Sequence, residues 1–331
     1  MLKKFIFILI ILANSLFCLE KNIFLKSGIG LGYDSNLLFS SPYYPTELYL
    51  FKIEGLGKWG KENFKFVVNM NSDVEVYNVY YNFTGGVGAG ILLLPTDETL
   101  IKLSTYYNYT SDINQSFSGK AEFKQDIFGF LTTGLSYNFE NSTGLNGVSN
   151  QYFTLHNVSL SFDFDVTEFL GMELTFDEVY NSYSMIKIEG NNLQHNTISG
   201  DGVLVFKPSY NYNIKLGGGY AYHDAFNTNL MVFYDTNEIY LFNSANQYRI
   251  IASIDYEWSP KIKTSLSTEF SFSKLLYHQI NENDYKVIFA TDYFLNQNWK
   301  FEFTFLYNLK NSELLKNVER WRVAAGIYYL F

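Results

Sequence analysis

The 331-residue chain is 47% hydrophobic and 19% aromatic but only 17% charged, against about 25% charged in an ordinary soluble domain. Its mean hydropathy is only −0.07, because Asn, Ser, Thr, Tyr and Gly dilute the apolar residues and keep them out of long runs, which excludes a bundle of transmembrane helices of about 20 apolar residues each. The aromatic content excludes disorder, one Cys excludes a disulfide scaffold, and a net charge of −9 argues against nucleic acid as a partner.

Residues 1–18 open with Lys3 and Lys4 and continue through an apolar stretch from Phe5 to Leu12 or Ala13, the plan of a secretory signal peptide. A transmembrane anchor would need a longer run, and Asn14 interrupts this one. The expected cut follows Ser15 or Cys18. Phe17 stands where a lipoprotein signal needs a small residue, so lipidation of Cys18 is disfavoured. The barrel domain is expected over 19–331.

The first strand carries Ser27-Gly28-Ile29-Gly30-Leu31-Gly32-Tyr33-Asp34-Ser35-Asn36. Gly28, Gly30 and Gly32 share one face of a strand and permit close packing or bending, and Asp34-Ser35-Asn36 suits a turn leaving it. The Gly-x-Gly-Tyr-Asp-Ser-Asn segment resembles the opening strand of outer-membrane β-barrel porin families and the barrel of surface lipoprotein assembly modifiers. The resemblance implies a bacterial outer-membrane barrel. The assembly modifiers place a tetratricopeptide domain before their barrel. This chain is barrel-patterned from about residue 22 and leaves no room for one.

From there to the end, apolar and polar residues alternate over about ten residues at a time, the period of a strand with two different faces. In 248–258, Tyr248, Ile250, Ala252, Ile254, Tyr256 and Trp258 oppose Arg249, Ile251, Ser253, Asp255 and Glu257. In 299–309, Trp299, Phe301, Phe303, Phe305, Tyr307 and Leu309 oppose Lys300, Glu302, Thr304, Leu306 and Asn308. Strands of a soluble sandwich average about 5–6 residues; a strand of about ten crosses a bilayer at a tilt. Tyr and Trp sit toward the ends of the apolar faces, as in the aromatic girdles of a transmembrane barrel. Short breaks fall at 60–63, 95–98, near 126, and at 165–168, 207–210, 259–261 and 296–298. Long ones fall at 35–47, 72–78, 110–116, 140–150, 181–194, 224–246, 274–283 and 310–319. Short breaks belong on the periplasmic side and long ones outside, which predicts an all-β, closed antiparallel transmembrane β-barrel of about 16 strands, with 14 as the alternative.

The last strand sets Trp321, Val323, Ala325, Ile327, Tyr329 and Phe331 on one face. It resembles the C-terminal recognition strand of Gram-negative outer-membrane proteins. That resemblance implies Tyr329 and Phe331 as the signal read by the barrel-assembly machinery.

The faces opposite the apolar ones are expected to line the lumen. They carry Lys52, Glu54, Lys102, Lys120, Glu122, Arg249, Asp255, Lys263, Glu269, Lys286, Asp292, Lys300, Glu302 and Arg322. Together these imply water inside, and at about 16 strands an aqueous channel. The near balance of signs gives no ion selectivity. The apolar stretch 224–246 is expected either to fold inward as a constriction or to extend a hairpin outward. Enzyme readings fare poorly. His156 and Ser159 differ in strand parity, His223-Asp224 has no second acidic pair, and there is no metal-ligand cluster, P-loop or dinucleotide fingerprint; no metal or cofactor is expected. The expected partners are the lipid bilayer, the barrel-assembly machinery and small solutes, with a homo-oligomer left open. The reading is an outer-membrane, porin-like channel for passive diffusion of small hydrophilic solutes. The alternative is a substrate-dedicated export or surface-assembly barrel working with a periplasmic partner.

Overall fold

The computed structural model describes residues 20–35, 46–61, 63–77, 81–110, 115–145, 148–188, 191–226, 244–276, 280–313 and 317–330. Residues 1–18, the expected signal peptide, together with Phe331 and 227–243 of the apolar stretch, therefore lie outside the described residues. Sixteen strands follow one another: β1 (Glu20–Asp34), β2 (Thr46–Lys61), β3 (Phe64–Tyr77), β4 (Tyr81–Thr96), β5 (Thr99–Thr110), β6 (Gln115–Ile127), β7 (Leu131–Leu145) and β8 (Val148–Thr167). The second half comprises β9 (Leu170–Ile188), β10 (Asn191–Phe206), β11 (Tyr212–Phe226), β12 (Ala245–Ser259), β13 (Ile262–Leu275), β14 (Ile280–Phe294), β15 (Trp299–Ser312) and β16 (Val318–Leu330). Each pairs antiparallel with its chain neighbours, and β1 pairs with β16, so the sheet closes on itself. Closure leaves no sheet edge through the bilayer, which lipid requires because it cannot hydrogen-bond an open one.

The strands are longer than their alternation suggests. β8 has 20 residues and β9 has 19. Breaks expected at 72–78, 140–150 and 181–194 are mostly strand: β3 runs to Tyr77, β7 to Leu145 and β9 to Ile188. There the two-face alternation of the sequence stops while the hydrogen-bond ladder continues. The weakest short break, near 126, is the turn 128–130.

Strand-skipping contacts identify the inner face. Lys26 on β1 reaches Glu302 on β15 at 3.3 Å across β16, and Arg249 on β12 reaches Asp201 on β10 at 2.6 Å across β11. Side chains separated by a whole strand meet this way on the concave side. The opposite parity carries the large exposed apolar residues, among them Ile29, Phe51, Phe117, Leu160, Ile198, Leu216, Ile250 and Phe303. Aromatic pairs mark both margins of this band. Trp299–Tyr329 and Tyr212–Tyr256 lie toward the end bearing short turns, with ring centroids 5.0 and 4.2 Å apart. Tyr33–Trp321 and Tyr220–Tyr248 lie toward the end bearing long loops, at 5.0 and 5.2 Å. The buried apolar residues are few, mostly Leu48, Val205, Leu275, Ile280 and Val318 with small or aromatic companions. A sandwich would hide its apolar face between sheets; here that face is turned outward, to lipid.

Candidate functional site

The inner wall is the part of the molecule where polar chemistry gathers. The register puts all fourteen of the charged residues singled out in the sequence on inward parity, and it groups most of them. Asp292, Lys300, Glu302, Lys26, Glu54, Lys52 and Asp73 form one alternating chain of charges over β14, β15, β1, β2 and β3. Its links measure 2.8, 3.1, 3.3, 3.8, 2.7 and 4.0 Å. Lys26 also lies 4.2 Å from the centre of the Tyr328 ring. On the far side, Glu122 bridges Lys102 at 3.0 Å and Lys120 at 2.7 Å. Lys263 pairs with Glu257 at 3.1 Å. Glu269 and Lys286 face each other in register without an ion pair among the described residues, and Asp255 sits in a separate polar recess with Asn213, Ser265 and Asp292. These charges are half-exposed for the most part, and wet pairs of this kind contribute about 0–1 kcal/mol each. Their joint effect is to keep the wall hydrated and locally neutral.

Several partners were not legible in sequence. Arg249 meets Asp201, Arg322 meets Glu75 at 2.7 Å, and Lys215 meets Glu173 at 2.9 Å. In each case the partner lies two or more strands away in the barrel, a separation that strand parity alone does not reveal. Asp201, Gly219 and Arg249 occupy one register row on three successive strands. A Cβ on Gly219 would collide with Asp201 Oδ1, so the glycine is the gap through which the pair closes.

The opening motif proves to be the closure seam. Gly28, Gly30 and Gly32 lie opposite Tyr328, Gly326 and Ala324 of β16. The Tyr328 ring occupies the space that a Cβ on Gly28 would need. Asp34 is the last residue of β1, not the first of a turn, and is fully buried. It accepts a two-pronged bond from Arg320, with Nε 3.1 Å from each carboxylate oxygen. Ser35 N–H donates to the Trp321 carbonyl at 2.9 Å, and Trp321 N–H donates to Ser35 Oγ at 2.7 Å. Toward the long-loop end the inner wall is shielded from water: Leu48, Ala245, Leu275, Glu282 and Lys310 are all buried, the last two paired at 3.5 Å.

Two of the described histidines have hydroxyl or amide neighbours. His156 faces outward, 2.7 Å from the Tyr137 hydroxyl, while Ser159 faces inward. His223 faces inward, 2.9 Å from Thr197 Oγ1 and 3.4 Å from Gln247 Oε1. Its chain neighbour Asp224 points the other way, to Ser244. Tyr329 faces outward against Trp299. Among the described residues no cluster of His, Cys, Asp and Glu has the arrangement of a metal site.

Solved structures share this architecture over nearly the whole chain. The outer membrane channel DcaP of Acinetobacter baumannii matches 95% of this chain and 97% of its own at a TM-score of 0.59 and 9% identity. The fold is that of the outer-membrane channels. OccD3 (OpdP) of Pseudomonas aeruginosa matches 94% of this chain and 91% of its own, with a TM-score of 0.54 and 10% identity. A bacterial polysaccharide outer membrane secretin matches 93% and 98%, with a TM-score of 0.57 and 8% identity. No protein-family model and no curated protein matches the chain.

Proposed function

We propose that the chain is an outer-membrane channel for passive diffusion of small hydrophilic solutes, with the inward charges as its pore lining. The observation that carries this reading is the contrast between the two faces of one closed barrel. The outer face is a lipid-compatible apolar band. The inner face carries half-exposed charges of both signs that only water can accompany. The end with short turns faces the periplasm, by the usual asymmetry of such barrels. Tyr329 and Phe331 serve as the signal for the assembly machinery, and the barrel acts as a channel rather than as an enzyme.

Planar bilayers test this. Purified protein is expected to give stable, ohmic conductance steps. Bilayers that stay closed despite verified insertion would overturn the open-channel reading.

A further inference from the structure

At the end that bears the short turns, one stretch of the inner wall is hollow. The inward sides of β11–β14 and the turns at 168–169 and 207–211 surround a recess of about 690 Å³, within the range of small-molecule sites, about 300–1,000 Å³. Its lining is mixed. Phe169 and Tyr210 bring exposed aromatic rings from the two turns. The rest is polar, and its charges cancel except for one. Glu257 holds Lys263 at 3.1 Å, and Asp292 holds Lys300 at 2.8 Å. Glu168 and Lys207 offset each other from neighbouring turns, which the Lys207 N–H joins by donating to the Phe169 carbonyl at 2.8 Å. Asp255 lies one row further into the barrel than Glu257, between the neutral Asn213 and Ser265 in register. It forms no ion pair among the described residues. Beside it, the side-chain oxygens of Asn211 and Asn213 are buried without a hydrogen-bond partner.

We propose that this recess binds a monovalent organic cation with a planar, N–H-bearing head and an aromatic body, the chemical class of the aryl amidines and guanidines. The proposal rests on the channel reading, since it names a solute held at the mouth of that same lumen. The charges select the sign. One carboxylate without a counter-ion takes one positive charge, whereas an anion would meet Asp255 with like charge. The orphaned acceptors select the head. Asp255 and the two amide oxygens can only receive hydrogen bonds, and an amidinium or guanidinium has only donors to offer. Such bonds to an ionised carboxylate are shorter and roughly twice as strong as those between neutral groups. The rings select the body, because Phe169 and Tyr210 offer faces to a planar cation and to an aromatic ring attached to it.

Equilibrium dialysis of the purified barrel in detergent at neutral pH, read against micelles alone, measures this without requiring conduction. Four probes are compared: benzamidinium, its neutral isostere benzamide, its anionic isostere benzoate, and acetamidinium, which keeps the head without the ring. Benzamidinium is expected to bind at least about tenfold more tightly than benzamide or benzoate, and about threefold more tightly than acetamidinium. Asp255→Asn keeps the shape of the side chain and should abolish the preference for benzamidinium over benzamide. Tyr210 is 97% exposed, so Tyr210→Ala leaves the fold intact and should narrow only the gap between benzamidinium and acetamidinium. Equal retention of benzamidinium, benzamide and benzoate, or an Asp255→Asn barrel that still prefers benzamidinium, would overturn the proposal. Conductance separates the two readings. A barrel that conducts but does not discriminate among the isosteres loses the recess alone. A barrel that prefers benzamidinium but never conducts loses passive diffusion and keeps the recess.

Discussion

A single missing side chain governs the Arg249–Asp201 pair. Its two ends sit on β12 and β10 in the same register row as Gly219, so any side chain on β11 at that row stands between them. Gly219→Val is expected to expel the Asp201 carboxylate and destabilise the barrel by about 1–3 kcal/mol, the range for forcing atoms into a filled site. Gly119→Val is the control: the nearest atom to its Cβ is 4.0 Å away, and its unfolding midpoint in detergent should barely move. Asp34 offers a second case. It is fully buried, while its partner Arg320 is about a quarter exposed. Asp34→Ala should cost about 2–3 kcal/mol, somewhat below the roughly 3–5 kcal/mol of a fully buried pair. An unfolding free energy unchanged by Asp34→Ala would mean that the seam is not fastened there. In the sequence the small glycines and the acid are visible, but Asp34-Ser35-Asn36 has the composition of a turn. Its partner lies 286 positions away, and no local pattern announces a contact at that separation.

The strands of the C-terminal half were readable because lipid on one side and water on the other impose opposite demands on successive residues. β15 shows this in adjacent positions: Phe303 faces out, in register with Ala325, and Thr304 faces in, in register with Ala324. Phe303→Arg should cost about 2–4 kcal/mol near the bilayer midplane, and Thr304→Arg much less, as judged by unfolding titrations in lipid vesicles. Equal costs would refute the register. Where a strand leaves the apolar band that opposition ends, and with it the signal. This is why 140–150 and 181–194 read as loops although β7 and β9 occupy much of them.

Closure is the property of the whole molecule, and its strand count was nearly legible: seven short and eight long breaks give about sixteen strands, with fourteen as the alternative, and the structure has sixteen. What could not be counted was how the ends meet. The β1–β16 seam aligns Lys26–Asp34 with Arg322–Leu330, so six residues at the start of β1 extend past the last strand. Along the paired rows such a ladder presents no edge for detergent to open. The unboiled protein is therefore expected to run compactly in dodecyl sulfate gels and to shift on heating, with a β-type circular dichroism spectrum. An unboiled sample migrating as an unfolded chain would count against closure. The longest pair, β8 and β9, has a consequence for the molecule's outline. At about 3.3 Å per residue, a strand of 20 residues is about twice what crossing the membrane takes. Beyond Phe153 the strand β8 pairs with β7, and beyond Tyr183 the strand β9 pairs with β10, so the surplus parts into two hairpins at the long-loop end.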